Sequence, residues 1–139
     1  MRLPWTLAAA VLPGLLMVVG AQAPAPLEIP DNAVLEGLPT EREVSSPDGT
    51  ARAPLSEEEA AAARLRIAVE DGRLSWTSRD GEALELFRTG GFTYLTSSRT
   101  PGQYVRITRL DDRMAYVEHF DTDTGHVIYR GELRITLGQ

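Results

Sequence analysis

The chain has 139 residues, no cysteine, two histidines, and fourteen basic residues that are all arginine; its formal net charge is −6. Without cysteine there is no disulfide, no thiolate metal site and no cysteine nucleophile. An acidic balance with no basic cluster excludes the electrostatic footprint of a nucleic-acid binder and gives no attraction to an anionic membrane surface.

Met1-Arg2 is a short cationic start, residues 3–20 are almost wholly apolar, and Ala21-Gln22-Ala23 supplies a small-x-small site. This is the layout of a secretory signal peptide over 1–23, so the mature chain is expected to begin at Pro24 and to work in the periplasm or outside the cell. A retained anchor is the alternative. Pro13-Gly14 falls inside the apolar run and the next arginine is Arg42, so both helix continuity and a stop-transfer flank are poor. After cleavage no stable membrane insertion is expected. Arginine-only basicity with abundant alanine and glycine has the character of a GC-rich bacterial genome.

Residues 24–55 hold Pro24, Pro26, Pro30, Pro39, Pro47 and Pro54. That density predicts an acidic tether, largely disordered, with Leu27-Glu28-Ile29 or Val34-Leu35 able to dock as a short edge strand. The acidity is concentrated early: residues 24–63 carry nine acidic residues against Arg42 and Arg52, whereas 64–139 carry eleven acids and eleven arginines. Ser56-Glu57-Glu58-Glu59 is a capping-box pattern, and the alanines after it predict a short helix over 56–63. From Arg64 the period becomes two, with Leu65, Ile67 and Val69 on one side.

Over 64–139, turn signals recur about every ten residues: Asp71-Gly72, Asp80-Gly81, Gly90-Gly91, Pro101-Gly102, Asp111-Asp112 and Asp123-Thr124-Gly125. The alternating runs between them predict an all-β, antiparallel up-and-down meander of seven strands, or eight if the last stretch bends at Gly131. A fully antiparallel ring needs an even number. The expectation is therefore an open curled sheet, or a small barrel completed by an N-terminal segment or by the Gly131 bend. This rhythm resembles lipocalin-like domains. The resemblance implies architecture alone: the strands are shorter than a lipocalin calyx needs, and Gly72 and Trp76 are too far apart for the Gly-x-Trp signature.

Three sets of residues carry chemistry. Asp123-Thr124-Gly125 matches the triplet of an aspartic-protease carboxylate, but Asp121-Thr122 stands where apolar residues belong and only fourteen residues follow, so it reads as a turn. His119, Asp121 and His126 can meet across one hairpin and hold a zinc ion, which makes a small metal-assisted hydrolase one alternative. The aromatic side chains are the remaining lead. Phe87 breaks parity with Leu84 and Leu86 and is expected to face outward. Phe92, Tyr94, Tyr104 and Tyr116 are expected to form a stripe across adjacent strands, able to line a concave, ligand-holding side.

The reading that follows is a non-enzymatic binding or interaction module of the cell envelope or extracellular space. Trp76, Phe87, Tyr94 and Tyr104 are the candidate contacts for an unknown protein or a small apolar ligand, and no cofactor is expected. A structural envelope component is the other alternative.

Overall fold

A computed structural model describes residues 27–138, so the signal-peptide reading of 1–23 lies outside the described residues. Nine strands and one α-helix are present among them: β1 (Ala33–Ser46), β2 (Gly49–Pro54), α1 (Glu57–Ala62), β3 (Leu65–Glu70), β4 (Arg73–Trp76), β5 (Glu82–Thr89), β6 (Phe92–Ser97), β7 (Tyr104–Arg109), β8 (Met114–Thr122) and β9 (Gly125–Leu137). A single 3₁₀ turn, Thr77–Arg79, separates β4 from β5. No helix among the described residues is long and apolar enough to cross a membrane.

The seven strands expected after Arg64 are β3 to β9, and they form an antiparallel meander. The ring closes because β1 pairs with β3 on one side and with β9 on the other. Eight strands, β1 and β3 to β9, make the barrel. The even count is reached with the N-terminal segment, and β9 runs through Gly131 as one strand.

The stretch expected to be a disordered tether therefore behaves differently from Ala33 onward. Each proline sits where a proline costs little. Pro39 lies at the bulge where the β1–β9 register shifts between Pro39 and Glu41. Pro47 lies in the β1–β2 turn, and Pro54 ends β2, which is an edge strand. None of these positions is a mid-ladder donor of a central strand. Before the bulge β1 alternates buried and outward residues; after it, the strand stays paired with β9 and takes β2 as its other neighbour in place of β3. Residues 27–32 tie down the opposite end of the barrel. Arg88 donates to the Leu27 carbonyl at 2.7 Å, and the Asp71 and Gly138 amides donate to Asn32.

Local signals explain the rest. The Ser56 hydroxyl accepts from the Glu59 amide at 3.2 Å, and the Glu59 carboxylate accepts from the Ser56 amide at 2.9 Å, so both halves of the capping box form. Asp71-Gly72 joins β3 to β4 with φ of +50° and +78°, the left-handed pair that a two-residue hairpin with native twist requires.

The interior is filled. Leu35, Leu65, Ile67, Trp76, Leu95, Val105, Ile107, Tyr116 and Leu133 are buried in one cluster. An eight-stranded ring is just wide enough for side chains to meet across it. Gly37 on β1 makes room for the Tyr116 ring: a Cβ there would stand 2.4 Å from Tyr116 Cε1. The outer wall carries cross-strand ion pairs, among them Arg66–Glu36 at 3.4 Å and Arg130–Glu43 at 3.1 Å.

Candidate functional site

The aromatic residues form a ladder on the outer wall. Phe87 of β5 and Tyr94 of β6 face each other in register, and their rings stack at 5.0 Å with planes 4° apart. Tyr104 of β7 and His119 of β8 are likewise in register and stack at 5.0 Å and 8°. The two links between these pairs and beyond are diagonal, because Tyr94 lies opposite Arg106 and His126 lies opposite Asp121. Diagonal neighbours tilt: Tyr94–Tyr104 at 5.8 Å and 57°, His119–His126 at 5.0 Å and 34°. Strand pairing thus sets the ring geometry, and five rings from five consecutive strands run across the wall.

Phe92 packs edge-on to Tyr94 at 6.3 Å, and the Arg106 guanidinium lies 4.7 Å from the Phe92 ring centre. Phe87 is 46% exposed, as its parity predicts. Parallel rings with centres 5.0 Å apart are offset-stacked, each shielding part of its neighbour's face. What the ladder offers outward is a ridge of neighbouring rings, with Phe87 exposed and Tyr94 and Tyr104 half-buried. Such a ridge suits side chains of another protein better than a flat ligand seeking a free ring face.

Two expected members are elsewhere. Trp76 is fully buried, because β4 turns Trp76 inward beside the other core residues. Tyr116 is 1% exposed; it pairs with Ile107, which is inward, so β8 brings His119 rather than Tyr116 to the outer wall. The concave, ligand-holding side is likewise absent, since the barrel interior is occupied by its own side chains.

His119, Asp121 and His126 do share the outer wall. Asp121 pairs with His126 across the Asp123-Thr124 turn, which is where the Asp-Thr-Gly triplet lies. His119 Nδ1 lies 2.6 Å from the Gly102 carbonyl, so that nitrogen carries the proton and donates. The two imidazoles lie side by side, tilted by 34°, and no three ligating groups gather to hold a metal ion among the described residues. The alternation that puts the three on one face does not aim their donor atoms at one point.

Sequence reasoning missed a polar cluster inside the barrel. Glu118 is 1% exposed. Its Oε1 accepts from Arg79 Nε at 3.1 Å, while its Oε2, the Tyr116 hydroxyl and the Trp76 indole N–H have no hydrogen-bond partner. Burial pushes the Glu118 carboxyl above the usual carboxylate range, with the Arg79 charge and its hydrogen bond opposing it. Burial and the Glu118 charge raise the Tyr116 hydroxyl as well. Arg79 reaches the cluster from the 3₁₀ turn, and its guanidinium lies 3.9 Å from the Phe120 ring centre. The signal was present: Met114, Tyr116, Glu118 and Phe120 share one parity, and a carboxylate in an apolar row needs a partner.

Compared with protein-family models, curated proteins and solved structures, the chain matches none.

Proposed function

We propose that this protein is a non-enzymatic binding module, exported to the cell envelope or beyond it, that meets a partner protein through the outer aromatic ridge. One observation carries the reading: five rings from five neighbouring strands lie in contact on the outer wall. Exposed aromatic side chains held rigid by their neighbours lose little entropy on binding, which is why they serve as anchors at protein interfaces. The filled interior supports the same conclusion, because it leaves a small apolar ligand no chamber inside the ring. The export part of the reading rests on the N-terminal sequence, a cationic start, an apolar run and Ala21-Gln22-Ala23.

The test is site-specific photo-crosslinking in the cell that makes the protein. A photoreactive residue at position 87 or 94 should give one discrete protein adduct, and Phe87→Ser should abolish the adduct formed from position 94. The same probe at Thr136, exposed on β9 away from the ridge, should give none. Adducts that are absent at the ridge, or equal at Thr136, would refute the assignment.

A further inference from the structure

A second face of the barrel has a different chemistry. An open groove of about 670 Å³ runs over the outer side of β1, β9 and β8, lined by Leu38, Leu110, Ala115, Arg64, Arg113 and Arg134. Its floor is apolar and wet: Leu38 is 49% exposed and Leu110 39%. Its charge is the reverse of the protein's. Glu36 and Glu132 also reach the groove, but each already has an arginine, Arg66 at 3.4 Å and Arg113 at 3.3 Å. Among the described residues Arg64 and Arg134 make no ion pair, although β-pairing sets Arg134 beside Glu36.

Two unpaired guanidiniums beside exposed leucines, in a chain whose net charge is −6, make a local cationic site with an apolar floor. A guanidinium fork matches the two oxygens of a carboxylate, and a large exposed leucine pair gains by losing water. A second groove of the same volume shares Leu110 and Arg113 and continues to Met114, Ile135 and Leu27, flanked there by Arg109 and by the acids Glu28, Asp111 and Asp112, so the far end suits the apolar chain and not the carboxylate. The combined path has room for a chain longer than the head group alone.

We infer that this groove binds a small amphipathic anion: one unbranched apolar chain ending in a carboxylate, taken up as a free monomer. The carboxylate pairs with Arg64 and Arg134, and the chain lies over Leu38 and Leu110. Charge complementarity of the two unpaired guanidiniums selects this occupant over a neutral lipid.

The experiment is isothermal titration calorimetry of the purified protein with decanoate below its micelle concentration. Saturable one-to-one binding is expected. Acetate, decanol and decyltrimethylammonium should each bind at least ten-fold more weakly, and vesicles of anionic phospholipid should not compete. The R64Q/R134Q variant should weaken decanoate at least ten-fold with an unchanged thermal midpoint, whereas Phe87→Ser should leave it as in the wild type. Amide shifts on titration should map to Leu38, Ala115 and Glu132. Failure of decanoate to saturate, decanol binding as tightly, competition by vesicles, or undiminished binding by R64Q/R134Q would overturn the inference.

Discussion

Gly37→Ala tests the fit between the barrel wall and its core. The new Cβ would stand 2.4 Å from Tyr116 Cε1, 2.6 Å from Cζ and 3.0 Å from Cδ1. Non-bonded carbons rest at about 3.5–4.0 Å, so the ring must retreat by about 1 Å or more. It has nowhere to go: Tyr116 is 1% exposed and shares its cluster with Trp76, Leu35 and Ile107. Nor can Gly37 move away, because its strand is paired on both sides, with Leu65 and with Leu133. Its φ is not in the left-handed region, so backbone strain contributes nothing and the whole effect is steric. Overpacking costs about 1–3 kcal/mol, and with both partners pinned the upper end applies, about 3 kcal/mol. At a urea slope of about 2 kcal/mol/M, the unfolding midpoint followed by circular dichroism should fall by about 1.5 M with the slope unchanged. The clash also predicts coupling. In a double-mutant cycle, Gly37→Ala should cost at least about 1 kcal/mol less in a Tyr116→Leu background, because the ring it strikes is gone. A loss under about 0.5 kcal/mol for Gly37→Ala alone, or additive behaviour in the pair, would refute this packing.

The interior polar cluster makes two further predictions. Tyr116→Phe removes a buried hydroxyl with no partner and should be neutral or stabilising by up to about 1 kcal/mol in the same urea assay. Glu118 has a folded-state pKa raised above its unfolded value of about 4.5, so the folded protein holds that proton more tightly than the unfolded chain. Its contribution is complete below pH about 4.5 and is lost as pH climbs through the folded pKa, at a slope approaching about 1.4 kcal/mol per pH unit. Glu118→Gln should therefore gain on the wild type as pH rises above 4.5; a stability difference that is flat with pH would count against a buried, pKa-raised carboxyl. Exposed Glu41, held low by Arg52, acts in the opposite sense, losing its contribution as pH falls, and is common to both proteins. Ser56→Ala removes the helix cap and should cost about 1 kcal/mol, with Ser56→Asp restoring most of it.

How much of this was legible in the chain depends on what each residue had to signal. The strands from Leu65 to Leu137 announce themselves because each alternates over several residues and ends at a turn with a demanding backbone, such as Asp71-Gly72. Closure of the ring was legible as an arithmetic need for one more strand, but not as the identity of β1. Pro39, Pro47 and Pro54 read as breakers, and only the tertiary partners show that each falls at a bulge, a turn or an edge. The outward stance of Phe87 followed from parity. The placement of Trp76 and Tyr116 did not, since their parity fits either a filled barrel or a hollow one, and filling is decided by ring size. The ladder's fourth and fifth members, His119 and His126, read in the sequence as metal ligands. They do share a face, yet the barrel wall sets the two rings side by side and tilted, and no three ligating groups meet there among the described residues. Arg79 carried no signal at all, because its meeting with Glu118 spans 39 residues.

Amide hydrogen exchange along β1 bears most directly on the closed, filled ring. Amides from Val34 to Gly37 lie between β3 and β9 and should exchange only through global unfolding, as slowly as those of β6 and β7. Exchange of those amides at the rate of an unstructured chain, while β6 and β7 stay protected, would mean that the sheet is open and its interior free to take a ligand.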